Sequence, residues 1–501
     1  VKLFAGLVDH LDLATRAESK AALLADYFRH APNPDRGAAI SLLLDDVAFN
    51  RLSPAMIREL GGGRVDPVLF DMSQDFVGDL GETTALMWPA RASNRERPGL
   101  HEVIETLTET PRADLVEVVV AWLDTMEATE RRVFLKLAGR RLGVGVSATV
   151  VRHALALLGG VPLAEIEEIW HAQKPPYMCL FDWLDGRGER PEQTTGLGFR
   201  AVMLERPLDP SEVPDLDLSA FSVEWKWDGP RVQISASAGD RRLFSASGDD
   251  ISKDHPELLK AFGAEGVFDG VLHESGDRSS ARVRLLDLLV DGSRDIREMP
   301  LESRRARLDE VFSTLDESVF IPSERLIIDS TEALARYHGD CRGRGALGLV
   351  LKRRDARYVP GIAADDWLLW ERDPLEADFV LMYLHHRVGG RTSEGAEATF
   401  GAWREGVTGP ELVPVAKTAL SRSVDPGGDL DNWISEHATK RFGPVTEVAP
   451  SLVVTLAFDS AQRAPRRKAG LVLRAPLVTS IHWDKSPVLT TRLEALEAWL
   501  D

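Results

Sequence analysis

Residues 221–237 read FSVEWKWDGPRVQISAS. Apolar and polar residues alternate on both sides of Asp228-Gly229-Pro230, a pattern that predicts two paired strands around a tight turn. Lys226 stands near the end of the first strand, between Trp225 and Trp227. Partial burial disfavours the charged form of a lysine, and a neutral amine can attack a phosphorus or carbonyl centre. The Asp-Gly turn would expose that amine. Lys-x-Asp-Gly is a short pattern, however, and a β-hairpin with a surface lysine has the same one. Spacing alone leaves both readings open.

Outward from this stretch the chain divides into three. Upstream, ADLVEVVVAWLD (113–124), RRVFLKLAG (131–139), ATVVRHALALLGG (148–160) and LAEIEEIWHAQ (163–173) carry apolar residues at helical spacing. Glycine and proline separate them. From about 205 the period shortens to β-type runs: RRLFSAS, GVFDGVLH, ARVRLLDLLV and LGLVLKRR, interrupted by a helix at SRRARLDEVF (303–312). After about 375 strands continue through DFVLMYLHH, ELVPVAKTAL, LVVTLAFDS and AGLVLRAPLV to a closing helix, RLEALEAWL. The expected architecture is multidomain: an all-α part over 1–204, a mixed α/β part over 205–375 and a mostly β part over 376–501.

Composition bounds the function. At 501 residues the chain is too long for one compact domain. No stretch approaches the roughly 18 uninterrupted apolar residues of a membrane span, and VKLFAGLVDHLDLATRAESK lacks the pattern of a signal peptide. Only Cys179 and Cys341 occur, without disulfide or zinc spacing. They read as small buried or half-buried thiols in a reducing cytoplasm. A net charge of −19 disfavours coating DNA by bulk charge. It leaves room for local basic patches, and three occur. Arg131, Arg132, Lys136, Arg140 and Arg141 precede a Gly143–Gly145 turn that would open a helix toward phosphate. Arg463, Arg466, Arg467 and Lys468 lie in a loop between two strands, and Lys352, Arg353, Arg354 and Arg357 form the third group. Each is equally readable as a solvated face.

The segments LLADYFRHAPNPDRG, RVDPVLFDMSQDFVGDLGET, EWKWDGPRVQ, LKRRDARYVPG, WERDPLEADFVLMY and QRAPRRKAGLVLRAP follow one another in order. In them the chain resembles the bacterial ATP-dependent DNA ligases over essentially its whole length. The resemblance implies a helical DNA-binding domain over 1–204, a nucleotidyltransferase (adenylation) domain over 205–375 and an OB-fold β-barrel over 376–501. In that family the motif lysine takes AMP from ATP, passes it to the 5′-phosphate of a nick, and the 3′-hydroxyl expels it. The implied nucleophile is Lys226, with Glu224, Asp228, Gly229, Arg231 and Lys352 on the nucleotide. ATP and Mg²⁺ are the implied cofactors. Nicked or duplex DNA is the implied partner, in the company of other repair proteins, and a monomer the implied state. The first two basic patches are the candidate DNA contacts.

Departures from the family pattern carry as much information. Its Ser-Arg-x-Gly reads Ser245-Ala246-Ser247-Gly248, and its Asp-Gly-Glu reads Asp269-Gly270-Val271. Leu286 stands where an aromatic would stack on adenine, and Leu347 where a carboxylate precedes Gly348. The Trp-x-Lys-x-Lys segment reads Trp367-Leu368-Leu369-Trp370-Glu371, so both lysines are gone and one is an acid. The C-terminal arginine-rich strand reads Arg474-Ala475-Pro476, leading to His482-Trp483-Asp484-Lys485, and the segment after Glu274 is shorter than in the family. Nucleotidyl transfer depends on positioning and charge stabilisation, and one well-placed charged donor is worth about 10²–10³ in rate. The expectation is a ligase fold with ligation lost or strongly impaired.

Overall fold

A computed structural model describes the chain except at positions 48, 50, 90–95, 112–113, 140–141, 193–197, 274–280, 386–395, 407–408, 421–423, 426–427 and 501. It divides into two compact units, Val1–Glu371 and Arg372–Asp501.

The first unit opens with twelve α-helices among the described residues, from Lys2–Leu13 to Met178–Leu184. Their ends follow from local chemistry. Ser53, Asp66, Asp79 and Ser147 each accept a backbone N–H in the first turn of the helix that follows, which satisfies donors no helix can pair internally. Aromatic rings such as Phe28 and Phe181, 5.5 Å apart, lie inside one continuous apolar core. No described helix is long and apolar enough to cross a membrane.

Two larger sheets follow in the same unit. One has the order Arg325–Leu326, Phe221–Trp227, Ala346–Arg353, Trp367–Glu371, Arg206–Pro207. The other runs Asp240–Ser245, Arg231–Ser237, Gly266–His273, Arg282–Asp291, Arg294–Asp295, with Phe320–Pro322 also on Arg282–Asp291. Phe221–Trp227 and Arg231–Ser237 therefore do not pair with each other. The expected hairpin is instead a crossing between sheets. Gly229 makes it possible: its φ is 138°, and a Cβ there would lie 2.2 Å from the Leu272 carbonyl oxygen. The carbonyl of Pro230 accepts from Leu272 N at 2.9 Å, which stitches the crossing to the second sheet.

The helical part docks on this second sheet through charge. Arg152, buried, donates Nη2 to the Ser247 carbonyl at 2.6 Å and to Asp249 Oδ1 at 3.2 Å. His171 Nε2 donates to the Gly248 carbonyl at 2.5 Å, and Arg297 Nη1 to Glu168 Oε1 at 2.5 Å.

The second unit is built on a seven-stranded antiparallel sheet around Leu375–His385, with Val453–Phe458 joining it to Leu477–His482. A separate hairpin pairs Ser460–Arg463 with Leu471–Arg474. The closing helix is shorter than its apolar spacing predicts: an α-turn at Leu493–Leu496 passes into a 3₁₀ turn at Glu497–Trp499. Cys341 is buried, but Cys179 is exposed, against expectation.

Candidate functional site

Register decides which side chains meet. Lys226 pairs with Gly348, Glu224 with Val350 and Ser222 with Lys352; these pair in turn with Glu371, Leu369 and Trp367. Directly opposed residues share a face, so nine positions form one floor. The other face carries Val223, Trp225, Leu349, Leu351 and Leu368, packed with Leu334 and Cys341. That division explains the alternation in FSVEWKW: one set of side chains anchors the sheet, and the other set is free for chemistry.

Above this floor a cleft of about 120 Å³ is lined by Lys226, Glu224, Lys352, Glu205, Arg231, Ala246, Val271 and Leu286 among others. Drug-sized ligands usually occupy about 300–1,000 Å³. The amine of Lys226 is held by a carboxylate. Its Nζ donates to Glu205 Oε1 at 2.7 Å, and Arg231 Nη1 is 3.7 Å from the same oxygen. Burial would raise the Glu205 carboxyl, but Arg231 and Lys226 outweigh it and hold the group below the ordinary glutamate range.

The other charges are paired as closely. Arg231 binds Asp269 through Nε at 2.8 Å and Nη2 at 2.5 Å, and the Tyr358 hydroxyl donates to Asp269 Oδ2 at 2.9 Å. Lys352, fully within the floor, donates to Glu224 Oε2 at 3.3 Å and lies 4.6 Å from the Trp367 ring centroid. Ser323 Oγ donates to the same Glu224 oxygen at 2.5 Å. Burial would raise Glu224, yet Lys352, Arg305 and Ser323 keep it low. Behind the wall Arg304 grips Asp287, both wholly buried. Sequence reasoning missed Glu205, Tyr358 and the Arg304–Asp287 pair, and reached Asp269 only as part of an altered motif. No spacing rule reaches from 205 to 226, and only the fold brings them together.

Sequence-expected residues fare unequally. Lys226, Glu224, Arg231, Gly229 and Lys352 converge on the cleft, whereas Asp228 stands exposed at the crossing. Arg131 is corrected: it is buried and donates Nε to the Leu123 carbonyl at 2.8 Å, closing a helix end instead of facing outward. Arg132 pairs with Asp9 and Asp12. Lys136 is half-buried, and Arg140 and Arg141 lie outside the described residues. The Gly143–Gly145 turn is engaged through its carbonyls, which accept from Lys20 Nζ at Val144 and Gly145. Arg353, Arg354 and Arg357 pair with Asp355, Glu302 and Glu298. Arg463, Arg466 and Arg467 are exposed on their hairpin with no ion-pair partner among the described residues, while Lys468 pairs with Glu411 at 2.6 Å. In the segment 482–485, Lys485 pairs with Asp378.

No family model matches the chain. A probable DNA ligase of Koribacter versatilis is 24% identical, with the match taking in 99% of this chain and 96% of that one. A DNA ligase of Methanothrix thermoacetophila is 24% identical over 73% of this chain and 70% of its own, and one of Halorubrum lacusprofundi is 26% identical over 72% and 70%. The chain is similar in sequence to these DNA ligases. Among solved structures, the ligase domain of M. tuberculosis LigD is 22% identical, covering 58% of this chain and 98% of its own with a TM-score of 0.32. The structure titled Pmar-Lig_Pre is 12% identical over 96% and 99%, with a TM-score of 0.49.

The motif positions singled out by the resemblance now have places. Val350, Leu369 and Glu371 share the cleft floor, and Ala246, Val271 and Leu286 line the cleft. Leu347 sits at a bulge beside Gly348. The Ser245–Gly248 turn, where the family has its arginine, is held from the helical side by Arg152 and His171. The shortened segment after Glu274 falls outside the described residues.

Proposed function

We propose that this chain is a DNA-binding protein of ligase descent, acting on nicked or duplex DNA in repair, in which AMP transfer through Lys226 is lost or strongly impaired. One observation carries the reading: the face of the sheet that holds Lys226 bears Leu369 and Glu371, and the facing wall bears Val271 and Leu286. A triphosphate approaching Lys226 would meet an acid and apolar side chains where countercharge is needed.

The resemblance implies ATP and Mg²⁺. The donor set does not suit Mg²⁺, which needs oxygen ligands in near-octahedral array. Four carboxylates at the cleft already serve cations: Glu205 serves Lys226, Asp269 serves Arg231, Glu224 serves Lys352 and Asp287 serves Arg304. Among the described residues no group of three or more histidine, cysteine or acidic side chains could hold a metal.

In this reading 1–204 is the helical DNA-binding domain, 205–375 the adenylation-like domain and 376–501 the OB-type domain, a cytoplasmic monomer working beside other repair proteins. The open cations Arg463, Arg466 and Arg467 support DNA contact from the last of these, since OB-fold loops commonly face nucleic acid. The test is incubation with labelled ATP and Mg²⁺ or Mn²⁺, followed by nick sealing, with a Lys226→Ala control. Absence of label together with a salt-sensitive shift of nicked duplex is the expected result. Stoichiometric AMP on Lys226 and sealed product would replace the proposal with that of a working ligase.

A further inference from the structure

The cleft carries an anion of its own. Glu205 lies between two short strands with fixed partners: Met203–Leu204 pairs in parallel with Gly361–Ile362, and Arg206–Pro207 with Trp367–Glu371. Leu208 N adds a bond to the Leu369 carbonyl at 2.8 Å. Backbone held on both sides leaves the side chain little choice of direction, and it points into the cleft with 10% of its surface exposed. There it touches both cations that face the cleft beside the crossing, Lys226 at 2.7 Å and Arg231 at 3.7 Å.

Charge around this point is balanced without any ligand. Lys226 and Arg231 supply two positive groups, and Glu205 and Asp269 supply two negative ones. Asp269 is wholly buried and also receives the Tyr358 hydroxyl, so it belongs to the wall. Glu205 differs: it meets Lys226 at the one side chain of this group that is more than a quarter exposed, 28%. A carboxylate on an amine and a guanidinium has the charge and hydrogen-bonding character of a bound phosphate oxygen.

We propose that Glu205 is a built-in counter-anion that occupies the phosphate position beside Lys226 and Arg231, so that any phosphate-bearing ligand must displace it. This rests on the reading of the cleft as a former nucleotide pocket. It adds a cause that motif loss does not contain: the pocket is blocked from within as well as stripped. Removing the charge at 205 reopens an anion site even while Leu369 and Glu371 stay as they are.

The probe is inorganic tripolyphosphate, titrated calorimetrically without metal into the intact chain, Glu205→Gln, and Glu205→Gln combined with Lys226→Ala. Binding to Glu205→Gln is expected to be at least about tenfold tighter than to the unaltered chain, and the gain should vanish in the double variant. Equal affinity, a gain that persists without Lys226, or no binding to any variant would overturn the proposal. Glu205→Asp keeps the charge but withdraws it by one methylene; it should show the same ordering at smaller size, and it carries the test if Glu205→Gln does not fold. ATP is titrated in parallel. If ATP binds Glu205→Gln no better than tripolyphosphate does, the counter-anion stands and the nucleotide reading of the cleft falls.

Discussion

Lys226 and Glu371 stand in one row across three strands, with Gly348 between them. The glycine is required by packing. A Cβ at 348 would lie 2.3 Å from the Trp370 carbonyl oxygen and 2.9 Å from Glu371 Cα, both backbone atoms that cannot yield cheaply. Gly348→Ala should therefore lower stability by about 1–3 kcal/mol, read as a lower urea midpoint at unchanged slope.

Arg304 and Asp287 test how far the cleft wall depends on buried charge. Both are wholly buried, and Arg304 also donates to the carbonyls of Met299 at 2.6 Å and Ala356 at 3.0 Å. Arg304→Met leaves a carboxylate buried without its partner and should cost about 3–5 kcal/mol. The exposed pair Arg357–Glu298 is the control. Arg357→Met should change stability by less than about 1 kcal/mol, and equal losses in the two variants would contradict the distinction.

A pH dependence follows from Glu167. Burial raises its carboxyl to about 7; Arg152 opposes this, and Glu168 and Asp249 add to it. The folded chain thus holds a proton that the unfolded chain releases near the ordinary value of 4.5. Stability from this group is complete below 4.5 and declines as pH rises toward 7. Glu167→Gln should raise the melting temperature at pH 8 and leave it nearly unchanged at pH 4. A larger gain at pH 4 would reverse the sign.

If the hairpin Ser460–Arg463/Leu471–Arg474 meets DNA, Arg466→Ala with Arg467→Ala should weaken nicked-duplex binding at all sequences. The slope of log affinity against log salt should fall by about 0.9 for each phosphate contact removed. Arg131→Ala makes the opposite case. Its guanidinium serves the Leu123 carbonyl, so the loss should appear in thermal stability with the salt slope intact.

Much of the fold was legible because its signals are local. Helices such as Ala148–Gly159 announce themselves by apolar spacing and a Ser147 cap, and strands such as Gly266–His273 by β-type runs. The crossing at 228–230 was misread as a hairpin for a physical reason. Asp-Gly-Pro satisfies a tight turn equally well whether the chain returns to its own sheet or enters the next, and only the partners of Phe221–Trp227 distinguish them. The helices Thr331–Asp340 and Asp429–His437 were overlooked in stretches read as strand-rich.

The candidate site divides the same way. Glu224 and Lys352 came from the resemblance, and the register agrees with it by placing both with Lys226 on one face of adjoining strands. Glu205 was not findable, since its role arises from two parallel pairings with segments more than 150 residues downstream. The basic patches show the limit of counting charges. Arg131 and Arg132 belong to one linear cluster, but helix packing turns the first inward and gives the second two aspartates.

The short passage between the sheets also limits movement. Trp227 and Arg231 are four peptide links apart, so even a fully stretched tether spans no more than about 14 Å. The jaws bearing the lysine and the arginine cannot gape at that end.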